Sequence, residues 1–133
     1  MTFWTLVRSD ANRFLTRPDE PSNGGFGDTV RLVLLTPGFQ LAFSIRLQAQ
    51  IARIPIVGRI LRRIVWYVTT IYFGCDIDPE ARFGPGLYLP HPTGIVIGGE
   101  WNIGADVILQ QGVTLGRTSK PLRRCNIGDR VRI

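Results

Sequence analysis

Two hydrophobic periods run through this chain, and they meet near residue 74. In residues 1 to 15, Phe3, Val7, Ala11 and Leu15 recur at i, i+4 spacing, which predicts a short amphipathic helix. The stretch TRPDEPSNGGFGD, 16 to 28, concentrates Pro, Gly, Asn and Asp and predicts a loop. From Asp28 to Phe73 helical spacing returns, broken at LTPGF, where Thr36 suits a helix cap and Pro37 the first helical position. Phe39, Phe43, Leu47 and Ile51 then share one helical face. After IPIVG, a further helix is expected to bury Ile60, Ile64, Val68 and Tyr72.

Beyond Gly74 the period becomes six. Ile, Leu or Phe stands at 77, 83 and 89, then, after a two-residue slip, at 97, 103, 109, 115 and 127. Glycine follows that position at 84, 98, 104, 116 and 128, and Ala81, Val107, Val113 and Val131 lie four residues beyond it. A six-residue unit cannot bury its own apolar residue, so such units stack as coils around a continuous inner column. The pattern predicts a mainly β chain, a parallel β-helix of hexapeptide repeats over 75–133, preceded by an α-helical segment over 1–74.

Composition narrows this picture. At 133 residues with 44% hydrophobic content, one domain with a real core is expected. Cys75 and Cys125 show no paired spacing, so neither a disulfide framework nor a zinc cluster is suggested, and a reduced, cytoplasmic setting is the default. The first residues lack the basic and apolar regions of a secretory signal, and IVWYVTTIYFG at 64 to 74 falls short of the roughly 20 residues of a spanning helix. The net charge of +6 arises from fifteen arginines and one lysine, clustered at GRILRR, 58 to 63, and GRTSKPLRRC, 116 to 125. Such a balance favours anionic partners. Nucleic acid is not expected among them, because the repeats show no basic face studded with aromatics. The only histidine, His91, stands between two prolines in LPHPTGIVIGG.

The motifs DIDPEARFGPGLYLPHPTGIVIG, 76 to 98, and GVTLG, 112 to 116, resemble those of the hexapeptide-repeat acyltransferases. Within them the chain is most similar to serine O-acetyltransferase and the short O-acetyltransferases of surface-polysaccharide pathways. Residues 29 to 74, with TPGFQLAFSIRL, also resemble the helices that precede the coil in that family. The resemblance implies a left-handed coil, acetyl-CoA as donor and a small hydroxyl acceptor. The family's catalytic histidine matches His91, and its partner aspartate matches Asp76 at the same interval of fifteen.

That chemistry suits those residue types. An imidazole with a pKa near 6.5 is matched to removing the acceptor's hydroxyl proton, and a carboxylate on its other nitrogen fixes the tautomer. Backbone amides at 94 to 99 are candidates for the oxyanion. The resemblance further assigns Gly116, Arg117, Thr118 and Lys120 to coenzyme A and Pro90, Arg123 and Arg124 to the acceptor, with the basic side chains of Arg117, Lys120, Arg123 and Arg124 suited to the coenzyme A phosphates. Metal-dependent relatives need three histidines, so no metal is expected.

Three departures bear on the acceptor. The family's Asp before the catalytic histidine is Pro90 here, its loop histidine falls at Arg124, and its long N-terminal helical domain is largely absent. A sugar hydroxyl is therefore as fitting an acceptor as L-serine. Family members form trimers, so self-association is expected, and the apolar and basic helices suggest an approach to a membrane surface. The chain stops at Ile133, early in a repeat, which suggests a truncated coil and sustains the alternative of a non-catalytic oligomerisation or binding module.

Overall fold

The computed structural model describes residues 1–16, 26–116 and 124–133. Helix α1 (Phe3–Leu15) starts at Thr2, whose side chain accepts from the Thr5 amide, and it buries Val7, Asp10 and Phe14. Helices α2 (Phe26–Leu35) and α3 (Pro37–Ile51) flank the expected break at LTPGF. Pro37 takes the first turn of α3 as read from the sequence. Thr36 stands at the cap position, but its hydroxyl donates to the Arg31 carbonyl at 3.2 Å instead of capping. Helix α4 (Val57–Phe73) ends at Gly74 in the left-handed conformation, φ 61°, which is where the helical period stops in the sequence.

Helix α3 is the centre of the molecule. Leu41, Ala42 and Ile45 join the coil residues in one core, while Phe39 meets Val7, Phe14 and Leu32 of the flanking helices in another. Aromatic edges lock the second cluster, with Phe14 against Tyr88 at 4.7 Å and Phe3 against Phe43 at 5.8 Å between ring centroids. The helical segment and the coil thus share buried surface across the change of period at Gly74.

Helix α4 reverses the expectation. Ile60, Ile64, Val68 and Tyr72 do share a face, but that face points outward, with exposures of 62, 53, 58 and 72%. The side against α3 is small and polar instead: Gly58 and Thr69 are buried, and the Thr69 and Ser44 hydroxyls are 2.6 Å apart. Periodicity identifies which residues travel together on a helix; it does not fix which neighbour they face.

The second half forms three parallel ladders. Strands β1 (Asp76–Ile77), β3 (Val96–Ile97) and β5 (Thr114–Leu115) make one face, and β2 (Arg82–Phe83), β4 (Trp101–Ile103) and β6 (Cys125–Ile127) a second. Single bridges from Tyr88 to Ile108 and from Ile108 to Arg132 mark a third. Asp76 pairs with Val96, Arg82 with Asn102 and Tyr88 with Ile108, each a step of 20, so the two-residue slip is present on all three faces. The inner column follows the hexad: Ile77, Leu89, Ile97, Ile103 and Leu109 are buried, joined by Leu87, Ile95 and Val107. Strands contribute only two or three residues per face, and corners take the rest, so the described chain holds more helix than strand.

Candidate active site

The extra residues of the first coil build the corner that carries His91. From Tyr88 to Val96 the chain takes eight steps, whereas from Ile108 to Thr114, the corner stacked on it, it takes six. Leu89 and Ile95 are fully buried and pin the two ends of the corner, leaving exposed His91 at its tip. Inside the turn the Thr93 amide donates to the His91 carbonyl at 2.9 Å, and Gly94 turns the chain back at φ 65°, a conformation that a side chain would strain. The next coil supports it: the Gly112 amide donates to the Thr93 carbonyl at 2.9 Å.

The same corner lies against the start of β1. The Gly94 amide donates to the Gly74 carbonyl at 3.1 Å, and the Asp76 amide to the Ile95 carbonyl at 2.8 Å. On β1 the alternation turns Ile77 into the core and Asp76 outward. The ladders thus bring Asp76 and the His91 corner together as the sequence interval suggests. No hydrogen bond joins the two side chains among the described residues; the Asp76 carboxylate instead accepts from the Trp66 indole N–H at 3.2 Å. Trp66 went unread at the sequence level, since nothing in a helical period reveals a contact made across the junction with a strand.

Helices hold this corner from behind. Gly38, in the first turn of α3, lies so close to Leu89 that a Cβ there would overlap the Leu89 carbonyl. Asp10 and Arg46, both almost fully buried, then tie α1, α3 and the coil together. Arg46 Nε donates to Asp10 Oδ2 at 2.8 Å and one terminal nitrogen to Oδ1 at 3.0 Å. The guanidinium also donates to the Phe83 carbonyl at 2.7 Å and the Gly84 carbonyl at 2.6 Å, and the Leu87 amide donates to Asp10 Oδ1 at 2.9 Å. A bidentate pair with further donors placed on backbone carbonyls is the form in which buried charges are tolerated.

The amides first considered for an oxyanion are largely committed elsewhere. Those of Gly94, Val96 and Gly98 donate to the carbonyls of Gly74, Val113 and Leu115, because they belong to the ladders. Pro90 sits half-buried beside His91. Gly116 is exposed, and its carbonyl accepts from the Trp101 indole at 3.1 Å. Arg124 donates to the Gly99 carbonyl at 3.2 Å and lines an open pocket of about 460 Å³ between α3 and the β1–β2 corner. Neither His91 nor Asp76 lines that pocket, so within one chain Arg124 and Pro90 belong to different corners. Arg117, Thr118, Lys120 and Arg123 lie outside the described residues.

Cys75, one residue before Asp76, is buried, and that burial raises its thiol pKa, opposed by the backbone groups of Ile95 and Gly94. Among the described residues no group of three or more His, Cys, Asp or Glu is placed to hold a metal ion.

No family model matches the chain. It is similar to serine acetyltransferase of Helicobacter pylori, 36% identical over 104 residues, which are 75% of this chain and 58% of that protein. Its structure is similar to that of serine acetyltransferase from Neisseria gonorrhoeae, with a TM-score of 0.80 and 29% identity over 98% of this chain and 49% of that one; the Neisseria enzyme has also been solved with serine. Serine acetyltransferase from Brucella abortus, solved in complex with coenzyme A, matches with a TM-score of 0.77 and 26% identity over 96% of this chain and 49% of that chain. The chain therefore spans about half the length of the relatives it matches.

Proposed function

We propose that this serine O-acetyltransferase-like chain carries the left-handed β-helix and the catalytic corner of an acetyl-CoA-dependent O-acetyltransferase working on a small hydroxyl acceptor in the cytoplasm. One observation carries the reading. The only histidine projects from a corner that is two residues longer than the one stacked on it, directly against the strand that begins with Asp76.

The step balances on these residues. His91 takes the acceptor's hydroxyl proton as the oxygen attacks the thioester carbonyl; the C–S bond then breaks, and the departing thiolate of coenzyme A receives the proton from the imidazolium. Asp76, steadied by Trp66, is the group that favours the imidazolium. The donor fits the Brucella abortus complex with coenzyme A, and L-serine as acceptor fits the Neisseria gonorrhoeae complex. Pro90 favours a second acceptor class, because no carboxylate stands there to meet an ammonium group, and a sugar hydroxyl asks for none. A homotrimer is the assembly that the likeness suggests.

The test is coenzyme A release from acetyl-CoA with L-serine, free sugars and nucleotide sugars, using the chain and His91→Ala. Transfer that falls about 10²- to 10⁴-fold in the variant supports general base catalysis and names the acceptor. Equal turnover by both proteins, or none by either while both remain folded, removes the proposal and leaves the coil as a binding module.

A further inference from the structure

The end of helix α4 touches both members of the proposed catalytic pair. Gly74 closes the helix in a left-handed turn, and its carbonyl accepts the Gly94 amide of the His91 corner at 3.1 Å. Only Cys75 then separates the helix cap from Asp76 at the start of β1. About two turns back along α4, the Trp66 indole N–H reaches over this junction to Asp76 Oδ1 at 3.2 Å. Asp76 is exposed, and among the described residues its Oδ2 accepts no hydrogen bond. The half-buried indole is held in turn, with the Arg63 guanidinium 4.0 Å over its ring.

We propose that Trp66 is a positioning residue for acetyl transfer, its indole N–H holding Asp76 Oδ1 so that Oδ2 is the oxygen presented to the Nδ1–H of His91. The inference rests on the reading of His91 as general base and deepens it. Orientation is the first argument. An exposed carboxylate at the edge of a coil has a broad terminal torsion and two equivalent oxygens, so it meets an imidazole in many poses. A donor on one oxygen, carried by a helix that also anchors the His91 corner, removes most of those poses. Charge is the second argument. The indole N–H donates without carrying a charge, so it orients the carboxylate and leaves its negative charge for the imidazolium. A guanidinium at the same place would compete for that charge. Arg63 meets the ring face, where a cation steadies the indole through its π-system.

Because His91 is the only histidine, its ring nitrogens give the only imidazole signals in a nitrogen-15 spectrum of the full chain, and its tautomer is read without turnover. The native chain, Trp66→Phe, Arg63→Gln, Asp76→Ala and the combined Trp66→Phe, Asp76→Ala variant are compared at about pH 8, where a free imidazole is neutral. Circular dichroism checks folding. The Nδ1–H form is expected to dominate in the native chain and to lose share in Trp66→Phe and in Asp76→Ala. In the combined variant it should fall no further than in Asp76→Ala alone. With acetyl-CoA and the acceptor, Trp66→Phe should lower kcat about tenfold and leave both KM values unchanged, since the N–H acts on the carboxylate. A native tautomer in Trp66→Phe beside an altered one in Asp76→Ala overturns the inference and leaves the pair standing. A loss in the combined variant that exceeds Asp76→Ala alone does the same. A tautomer unaltered by Asp76→Ala removes the pair, and this inference with it. Should Trp66→Phe not fold, Arg63→Gln, at an exposed position, takes its place, with the same shift expected and its absence overturning.

Discussion

Asp10 illustrates what a single residue contributes that a periodic pattern conceals. It lies on the face of α1 that the sequence marks as apolar, between Val7 and Phe14, and is 1% exposed. Its carboxylate holds Arg46 and the Leu87 amide at once. Asp10→Ala leaves a buried guanidinium without its counter-charge, and a loss of about 3–5 kcal/mol in urea unfolding is expected. Cys75 carries a pH dependence. Its thiol pKa is raised by burial, so the neutral form contributes stability that is fully present below the unfolded thiol value, about 8.5, and is lost as pH rises through the folded value. Unfolding free energy should therefore decline at alkaline pH in the native chain and less so in Cys75→Ala, measured as a difference between the two slopes. That the corner carrying His91 lies against the strand beginning at Asp76 was legible, because the repeat sets where each residue falls in the coil. Asp10, Arg46 and Trp66 were not, because their partners lie 77, 38 and 10 residues away and no local spacing encodes them.

At the scale of elements, the helices were legible in place and poorly legible in orientation. The breaks at LTPGF and Gly74 were readable since Pro and Gly act locally through their own backbones. The facing of α4 was not, because it is decided by α3, which presents Ser44 and packs tightly enough against Gly58 and Thr69 to prefer the small side. Gly38 shows the same dependence. Its need to be glycine comes from the Leu89 carbonyl 51 residues later in the chain. Gly38→Ala is expected to cost about 1–3 kcal/mol through overpacking, seen as a lower melting temperature. Because Leu89 anchors the His91 corner, acetyl transfer by that variant should fall more than its folded fraction does.

For the whole molecule, the hexad was the most informative signal, since every repeat reports the same inner column. It located the buried residues Ile77, Leu89, Ile97, Ile103 and Leu109 and even the slip. Truncating one member of the column, Leu109→Ala, should cost about 2–5 kcal/mol, with unfolding remaining a single transition because the coil shares its core with α3.

The unequal corners have one more consequence, for how such a chain can be edited. Asn102 pairs with Asn126 and Ile108 with Arg132, steps of 24, although the coil needs only 18 from Val96 to Thr114. The ladders are thus indifferent to corner length and sensitive only to phase. A six-residue excision between Gly116 and Arg124 restores the step of 18 and is expected to keep the described ladder partners in phase, whereas loss of one residue within β4 is expected to turn Ile103 out of the core. In the vocabulary of machine parts, the coil is a rack whose teeth are fixed and whose attachments are interchangeable.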